Sequence, residues 1–178
     1  MKNKSNKEEI QLTDNTLYSG KVISLHVDDV LCPNGNKSKR EYVAHNGGVC
    51  VLAEIDNKIA LVRQYRYAYR KQLLELPAGK LEKGEDSYKA GLRELEEEIG
   101  YKAGELVSYG SMYPTCGYSN EEIFLYVAKN CVKTQTNFDI DEDLDLVLLS
   151  KEELISMLKN NEIKDAKTVI LLSKYLLK

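Results

Sequence analysis

Glu94, Glu97 and Glu98 lie within five residues of one another, in a segment whose apolar residues Tyr88, Leu92, Leu95 and Ile99 recur at helical spacing. On a helix turning about 100° per residue, Glu94 and Glu98 stand about 40° apart, Glu97 about 60° from Glu94, and the apolar stripe roughly 120° away. Three carboxylates therefore share one face. Like charges at i and i+4 destabilise an isolated helix by about 0.2–0.5 kcal/mol per pair, and the second half of a helix disfavours anions through its macrodipole. A divalent cation reverses the sign of that cost, and clustered hard oxygen donors suit Mg²⁺ or Mn²⁺ far better than zinc. Taken without its surroundings, the triplet reads as a solvated acidic helix end. Gly91, one turn earlier on the same flank, leaves room for a ligand or for backbone.

Other residues carry weaker signals. Of the five arginines, Arg63, Arg66 and Arg70 fall within eight residues just before the glutamate segment, and guanidinium is the natural bidentate partner of phosphate oxygens. A surface arginine beside tyrosines is the alternative for Arg63 and Arg70. Asp139 to Asp145 holds five acids in seven residues. It is no EF-hand, because Leu144 stands where the sharp-turn glycine belongs and Ser150 where the bidentate glutamate belongs; by itself it reads as a solvated acidic loop. His26 and His45 read as structural. The alternation Tyr65, Tyr67, Tyr69 places three rings on one strand face, as sheet packing does.

The elements that would hold these residues follow from periodicity and turn chemistry. A polar head runs to about Asn15. Leu17 to Leu31 alternates as strands do, Pro33-Asn34-Gly35-Asn36 is a turn, and Lys39 to Ala44 is its return strand, so 1–44 reads as an N-terminal appendage and 45–178 as the main domain. Val49 to Glu54 and Ile59 to Arg63 form a hairpin about Asp56-Asn57. A loop at Pro77-Ala78-Gly79 leads to a helix over Ser87 to Ile99, closed by Gly100 as a left-handed C-cap. Strands are expected at 105–112, 121–128 and 144–149, and helices at 151–159 and 165–177. Strands, one helix, strands, then helices predict an α+β fold: a mixed β-sheet sandwiched between α-helices.

Composition narrows the function. With 28 acids against 25 Lys and Arg and a net charge of −3, the chain is a poor partner for nucleic acid, which needs a basic surface. No stretch approaches the roughly 18 apolar residues of a membrane span, and the first ten residues lack the apolar core of a signal peptide, so a cytoplasmic location is expected. Cys32, Cys50, Cys116 and Cys131, spaced 18, 66 and 15 apart, match neither a CxxC pair nor a zinc framework and read as free, mostly buried thiols.

Gly79, five residues, Glu85, seven residues, and Arg93-Glu94-Leu95-Glu96-Glu97-Glu98-Ile99-Gly100-Tyr101 together resemble the signature GX5EX7REUXEEXGU of the Nudix hydrolases, with Tyr101 where an aliphatic residue is usual. From about Leu17 onward the chain resembles the ADP-ribose pyrophosphatase subfamily. The segments that carry this are Arg40-Glu41-Tyr42-Val43, His45-Asn46-Gly47-Gly48-Val49, Val62-Arg63-Gln64-Tyr65-Arg66, Leu74-Glu75-Leu76-Pro77-Ala78-Gly79-Lys80-Leu81-Glu82 and Asp165-Ala166-Lys167-Thr168. Tyr113 to Glu121 is similar to the subfamily's substrate loop, with Cys116 in place of its second proline.

The resemblance implies a Nudix fold in which Glu94, Glu98 and the Ala78 carbonyl hold Mg²⁺ or Mn²⁺, while Glu97 is a further ligand or a base. Gly79, Glu85 and Arg93 support them, the last two as an ion pair between loop and helix. Arg66, Lys80, Cys116, Gly117 and Glu121 would contact substrate. Arg40 and Glu41 would reach the nucleoside across a homodimer interface, making 1–44 a swapped dimerisation element; an ordinary cross-strand ion pair is the alternative. Glu142 in the acidic loop is a candidate base or ligand, with Asp141 and Asp139 behind it. The implied activity is metal-dependent hydrolysis of ADP-ribose, or a close ADP-sugar, to AMP and ribose 5-phosphate. The alternatives are the same chemistry on another nucleoside diphosphate derivative, such as a sugar nucleotide or a damaged dNTP, and a non-catalytic nucleotide sensor.

Overall fold

A computed structural model of the chain describes residues 7–134 and 144–177. They fall into two compact units, one formed by Met1–Asn46 with Thr115–Glu121 and the other by Gly47–Pro114 with Glu122–Lys178. No helix among the described residues is long and apolar enough to cross a membrane.

The first unit is an antiparallel sheet of β1 (Ile10–Gln11), β2 (Thr16–Ser19), β3 (Ile23–Leu31) and β4 (Lys37–His45), with β3 pairing all three others. The expected single run from Leu17 to Leu31 is broken at Gly20, whose N–H donates to the Ile23 carbonyl, and the chain doubles back there. At the β3–β4 turn, Gly35 takes a positive φ and donates to the Cys32 carbonyl. Asp28, 3% exposed, fastens β1 and β2 to β3: its carboxylate accepts from Gln11 Nε2 at 2.6 Å and from the Asn15 N–H at 2.9 Å. The 115–121 segment joins this sheet. Val43 N–H donates to the Tyr118 carbonyl, Asn120 N–H to the Val43 carbonyl, and His45 N–H to Asn120 Oδ1.

The second unit contains β5 (Gly48–Ile55), β6 (Lys58–Arg66), β7 (Lys71–Glu75), β8 (Ala78–Lys80), α1 (Ser87–Ile99), β9 (Tyr101–Lys102), β10 (Glu105–Met112), β11 (Ile123–Lys129), β12 (Val132–Lys133), β13 (Asp145–Leu149), α2 (Lys151–Lys159) and α3 (Ala166–Leu176). Strand order is β10-β11-β5-β6-β13, with β7 on β6 and β8 on β5, and β9 pairs β12 separately. β5 runs parallel to β11 and antiparallel to β6 and β8, so the sheet is mixed.

The central strand β5 reads GVCVLAEI because both of its faces are covered. Val49, Val51 and Ala53 pack with Ala90, Leu95 and Ile99 of α1, whereas Cys50 and Leu52 pack with Leu154, Leu171 and Leu172 of α2 and α3. A mixed sheet sandwiched between helices is the result. Full burial of a side chain the size of Leu95 or Ile99 stabilises by about 1.5–3 kcal/mol. Gly91 belongs to this packing. A Cβ there would lie 2.8 Å from Leu106 Cδ1 and 3.2 Å from Val49 Cγ2, so close approach of α1 to the sheet, and not room for a ligand, explains the glycine.

Two local expectations change. β6 ends at Arg66, and Tyr67–Tyr69 is a 3-10 turn closed by Arg70 at φ 55, which returns the chain as β7. Tyr65, Tyr67 and Tyr69 are therefore solvent-exposed and do not pack on one strand face; Arg70 lies 3.4 Å over the Tyr67 ring. The Pro77-Ala78-Gly79 loop is in part the strand β8, which pairs Cys50 with Ala78 and Val49 with Gly79.

Candidate active site

Helix α1 is set by its ends. The Asp86 carboxylate accepts from the Lys89 N–H as N-cap, and Gly100, at φ 69, donates to the Glu96 carbonyl as the left-handed C-cap. With the helix so placed and its apolar side on the sheet, Glu94 and Glu98 are turned inward, 8% and 3% exposed. Ala78 N–H donates to Glu98 Oε2 at 2.9 Å. A Cβ on Gly79 would lie 1.8 Å from Glu94 Cδ. With no side chain on Gly79, β8 passes the Glu94 carboxylate as it stands, so β8 and α1 form a cradle whose contents are carboxylate oxygens.

Arg93 organises the outer part of this cluster. Its Nε and Nη2 donate to Glu85 at 3.2 and 3.1 Å, and its Nη1 donates to Glu94 Oε1 at 2.8 Å and Glu97 Oε2 at 2.9 Å. Nη2 also meets the Lys80 carbonyl. Glu85 in turn accepts from the Glu82 N–H, tying the loop to the helix, and Arg93 holds its carboxyl below the ordinary range. One guanidinium is shared among three carboxylates, so its charge matches only one of them.

A second charged group lies at the ends of β6, β7 and α3. Arg66 donates from Nε and Nη2 to the two oxygens of Glu75 at 2.7 and 2.8 Å, and Lys167 Nζ also donates to Glu75 Oε2. Lys167 reaches Asp165 at 2.9 Å, and Asp165 caps α3 by accepting from the Thr168 N–H and hydroxyl. The Thr168 oxygen accepts from the Leu76 N–H at 2.8 Å. Glu75 is 1% exposed. Burial works to raise its pKa, but Arg66 and Lys167 outweigh it and hold the carboxyl at about 2. Glu75 likewise keeps the Arg66 guanidinium charged against the cost of burial, with Asp165 and Glu98 adding to the effect.

Other candidates, Arg40, Glu41, Cys116, Gly117 and Glu121, lie in the first unit. Arg40 is ion-paired with Glu9, through Nε at 2.8 Å and through Nη2, and its Nη1 donates to Ser38 Oγ; its partner is thus Glu9 and not Glu41. Glu121 Oε1 stands 3.5 Å from His45 Nδ1. Cys116 is exposed, and a Cβ on Gly117 would meet nothing within 4 Å, so the protein's own packing does not require that glycine. Arg63, Arg70 and Lys80 are exposed. Glu142, Asp141 and Asp139 lie outside the described residues.

Glu94, Glu98, Glu97, Gly79, Ala78, Glu85 and Arg93 are thus brought together in the second unit, and Arg40, Glu41, Cys116, Gly117 and Glu121 share the first. Among the described residues, the three-residue set whose potential metal-ligating atoms approach within 4.8 Å is Asp14, His26 and Asp28; in the helix cluster Arg93 Nη1 donates to both Glu94 and Glu97. The donor chemistry of the α1–β8 cradle fits a hard divalent cation. Its donors are carboxylates, two of them buried, and a side chain at Gly79 would fill the space. Sequence reasoning assigned no role to Glu75 or Lys167. The signal was there: Glu75 stands between Leu74 and Leu76, and Lys167 precedes the apolar run Val169 to Leu172, and a charge in such a setting is buried with partners or not buried at all.

Comparison with known proteins adds to this geometry. The NUDIX domain family matches residues 44–172. A Bacillus methanolicus protein named methanol dehydrogenase activator is 45% identical, over 92% of this chain and 90% of the relative. An ADP-ribose pyrophosphatase of Bacillus subtilis strain 168 is 40% identical, over 90% of this chain and 89% of that one. The crystal structure of an ADP compounds hydrolase has the same fold, with TM-score 0.84 and 22% identity, covering 94% of this chain and 92% of the other.

Proposed function

The chain belongs to the NUDIX domain family, the Nudix hydrolases, and from that premise we propose that it hydrolyses the pyrophosphate bond of ADP-ribose, or of a close ADP-sugar, to AMP and ribose 5-phosphate. The observation that carries this reading is the buried pair Glu94, against the bare backbone of Gly79, and Glu98, held by the Ala78 N–H, in a chain 40% identical to an ADP-ribose pyrophosphatase. We place the protein in the cytoplasm as a homodimer paired through its N-terminal segment. The exposed Leu17 and Tyr18 of β2 support that pairing.

In this mechanism the chain's own residues bind, orient and move a proton. Arg66 spends two N–H groups on Glu75, and its other donors serve the phosphate oxygens. Arg93 fixes Glu94 and Glu97 relative to the loop that carries Glu85. Lys80, Cys116, Gly117 and Glu121 contact substrate, and Arg40 and Glu41 contact the nucleoside. Water attacks phosphorus, forming a new P–O bond as the bridging P–O bond breaks and its electron pair leaves with the departing phosphate oxygen. The water proton passes to Glu97 or Glu142. Mg²⁺ or Mn²⁺ held by Glu94, Glu98, Glu97 and the Ala78 carbonyl would supply positive charge against the diphosphate and acidify the attacking water.

A screen of nucleoside monophosphate release over ADP-ribose, ADP-sugars, GDP-sugars and dNTPs with Mg²⁺, for wild type and Glu98→Gln, tests the reading. Turnover of ADP-ribose that is lost in Glu98→Gln and on chelation is expected. Preferential turnover of dNTPs or GDP-sugars would reassign the substrate, and no turnover of any member would sink it. The 45% identity to a methanol dehydrogenase activator favours a second reading, that the chain activates such a dehydrogenase. Methanol oxidation measured with and without the chain, wild type and Glu98→Gln, tests it; an unchanged rate removes it.

A further inference from the structure

We infer that Lys167, held by Asp165 at the start of the last helix, is a positioning residue for Arg66: the two act through the buried Glu75 carboxylate to hold the guanidinium in place for a phosphate. The importance of Arg66 to substrate rests on the function proposed above; the positioning itself does not.

The geometry is a chain of alternating charge. Asp165 meets Lys167, Lys167 meets Glu75 Oε2, and Glu75 takes Arg66 on both oxygens. Burial is deepest inside it: the Asp165 side chain is 17% exposed, that of Lys167 11%, that of Glu75 2% and that of Arg66 39%, so the guanidinium is the member that reaches solvent and the other three hold it from within. A long arginine side chain loses much entropy when ordered. Here that order is imposed by a carboxylate with no freedom of its own.

Lys167 has an electrostatic part as well. Were Glu75 to face Arg66 alone, the two would form a neutral pair, and an incoming phosphate would compete with Glu75 for the same guanidinium. Lys167 offsets part of the Glu75 charge, as Asp165 in turn offsets part of the Lys167 charge, so Glu75 competes less strongly with an incoming phosphate for the guanidinium. A backbone link accompanies it. Thr168, capped by the same Asp165, accepts from the Leu76 N–H, and Leu76 leads through Pro77 to Ala78, whose N–H holds Glu98. One turn of α3 thereby anchors both the Arg66 guanidinium and the strand that meets the glutamate pair.

The test uses the full chain. In a ¹⁵N-labelled sample the Arg66 Nε–H resonance, identified by its loss in Arg66→Gln, is expected to be protected and dispersed in wild type and in Lys167→Arg, and to exchange or collapse toward the free-arginine position in Lys167→Met. With ADP-ribose as substrate, Lys167→Met is expected to raise KM on the order of tenfold with a smaller change in kcat, and to add little to the KM of Arg66→Gln in the double variant, because contacting residues of one network are not additive. An unmoved Arg66 resonance in Lys167→Met, or additive KM effects, overturns the inference. If wild type does not turn over ADP-ribose, the proposed function falls while the resonance still decides the positioning. If Lys167→Met does not fold, Asp165→Asn, which keeps a helix cap but removes the charge that holds Lys167, is expected to move the resonance in the same direction; no movement there overturns the inference equally.

Discussion

The Glu94 carboxylate occupies the place where a side chain on Gly79 would stand. Gly79→Ala puts a methyl 1.8 Å from Glu94 Cδ and forces either β8 or Glu94 to move. Since displacements near 1 Å at a reacting centre cost on the order of a hundredfold in rate, kcat/KM for ADP-ribose is expected to fall by about that factor in Gly79→Ala while the circular dichroism spectrum is retained. Wild-type kcat/KM in this variant would show that Glu94 need not be held where it is. Glu75 makes a separate prediction in pH. Its carboxyl sits at about 2 in the folded protein, against an ordinary glutamate value near ~4.3. A depressed folded pKa means that the contribution is complete above the unfolded value and is lost as pH falls through the folded one. Urea unfolding of Glu75→Gln should therefore show lower stability than wild type at pH 7 and a smaller further loss between pH ~4.3 and ~2; parallel curves over that window would refute the assignment. The glutamates of α1 were legible as a cluster because helical spacing places side chains from one short segment. The Glu75–Lys167 contact was not, because ninety-two residues separate its partners and no local pattern joins them.

Helix α1 illustrates what an element owes to its packing. Ala90, Gly91, Leu95 and Ile99 are buried, and Gly91 lets Val49, Val51 and Leu106 come into contact range of the helix axis. Gly91→Val would overpack that interface, and inserting methyl groups into a filled core costs about 1–3 kcal/mol. Thermal unfolding of Gly91→Val is expected to shift down by several degrees, with Glu98→Gln, which changes no volume, shifting less; an unchanged midpoint for Gly91→Val would mean that α1 packs more loosely than the structure shows. The limits of α1, α2 and α3 were readable to within a residue, because Asp86, Ser150 and Asp165 cap their starts and Gly100 ends α1 in the left-handed conformation. β5 was readable as a run of apolar residues. β7 and β8 were not, since their residues alternate weakly and their strand form comes from partners, β6 and β5, that lie elsewhere in sequence. The same holds for Tyr65, Tyr67 and Tyr69: period-two spacing predicted one strand, but Arg70 in the left-handed region turns the chain after Arg66.

Across the whole chain, the small net charge of −3 conceals separate uses of charge and of apolar surface. Glu94 and Glu75 are buried with cationic partners, whereas β2, reading TLYS, is exposed at every residue although it carries Leu17 and Tyr18. Ile10 and Val22 of the same unit are exposed too. Alternation in the sequence identified strands here, but it carries no information on what covers their outer residues, so the partner had to come from resemblance. An edge strand with exposed large apolar side chains invites pairing with another chain. A second copy of this chain is the occupant that the proposed function requires, because Arg40 and Glu41 stand on β4 of the same unit. Sedimentation of wild type is therefore expected at twice the chain mass of 20.2 kDa. Leu17→Lys combined with Tyr18→Lys should shift it to the single-chain mass and lower ADP-ribose turnover as the dimer dissociates. Wild type sedimenting as one chain at micromolar concentration, or a monomeric variant that keeps full turnover, would remove both the pairing and the part given to Arg40 and Glu41.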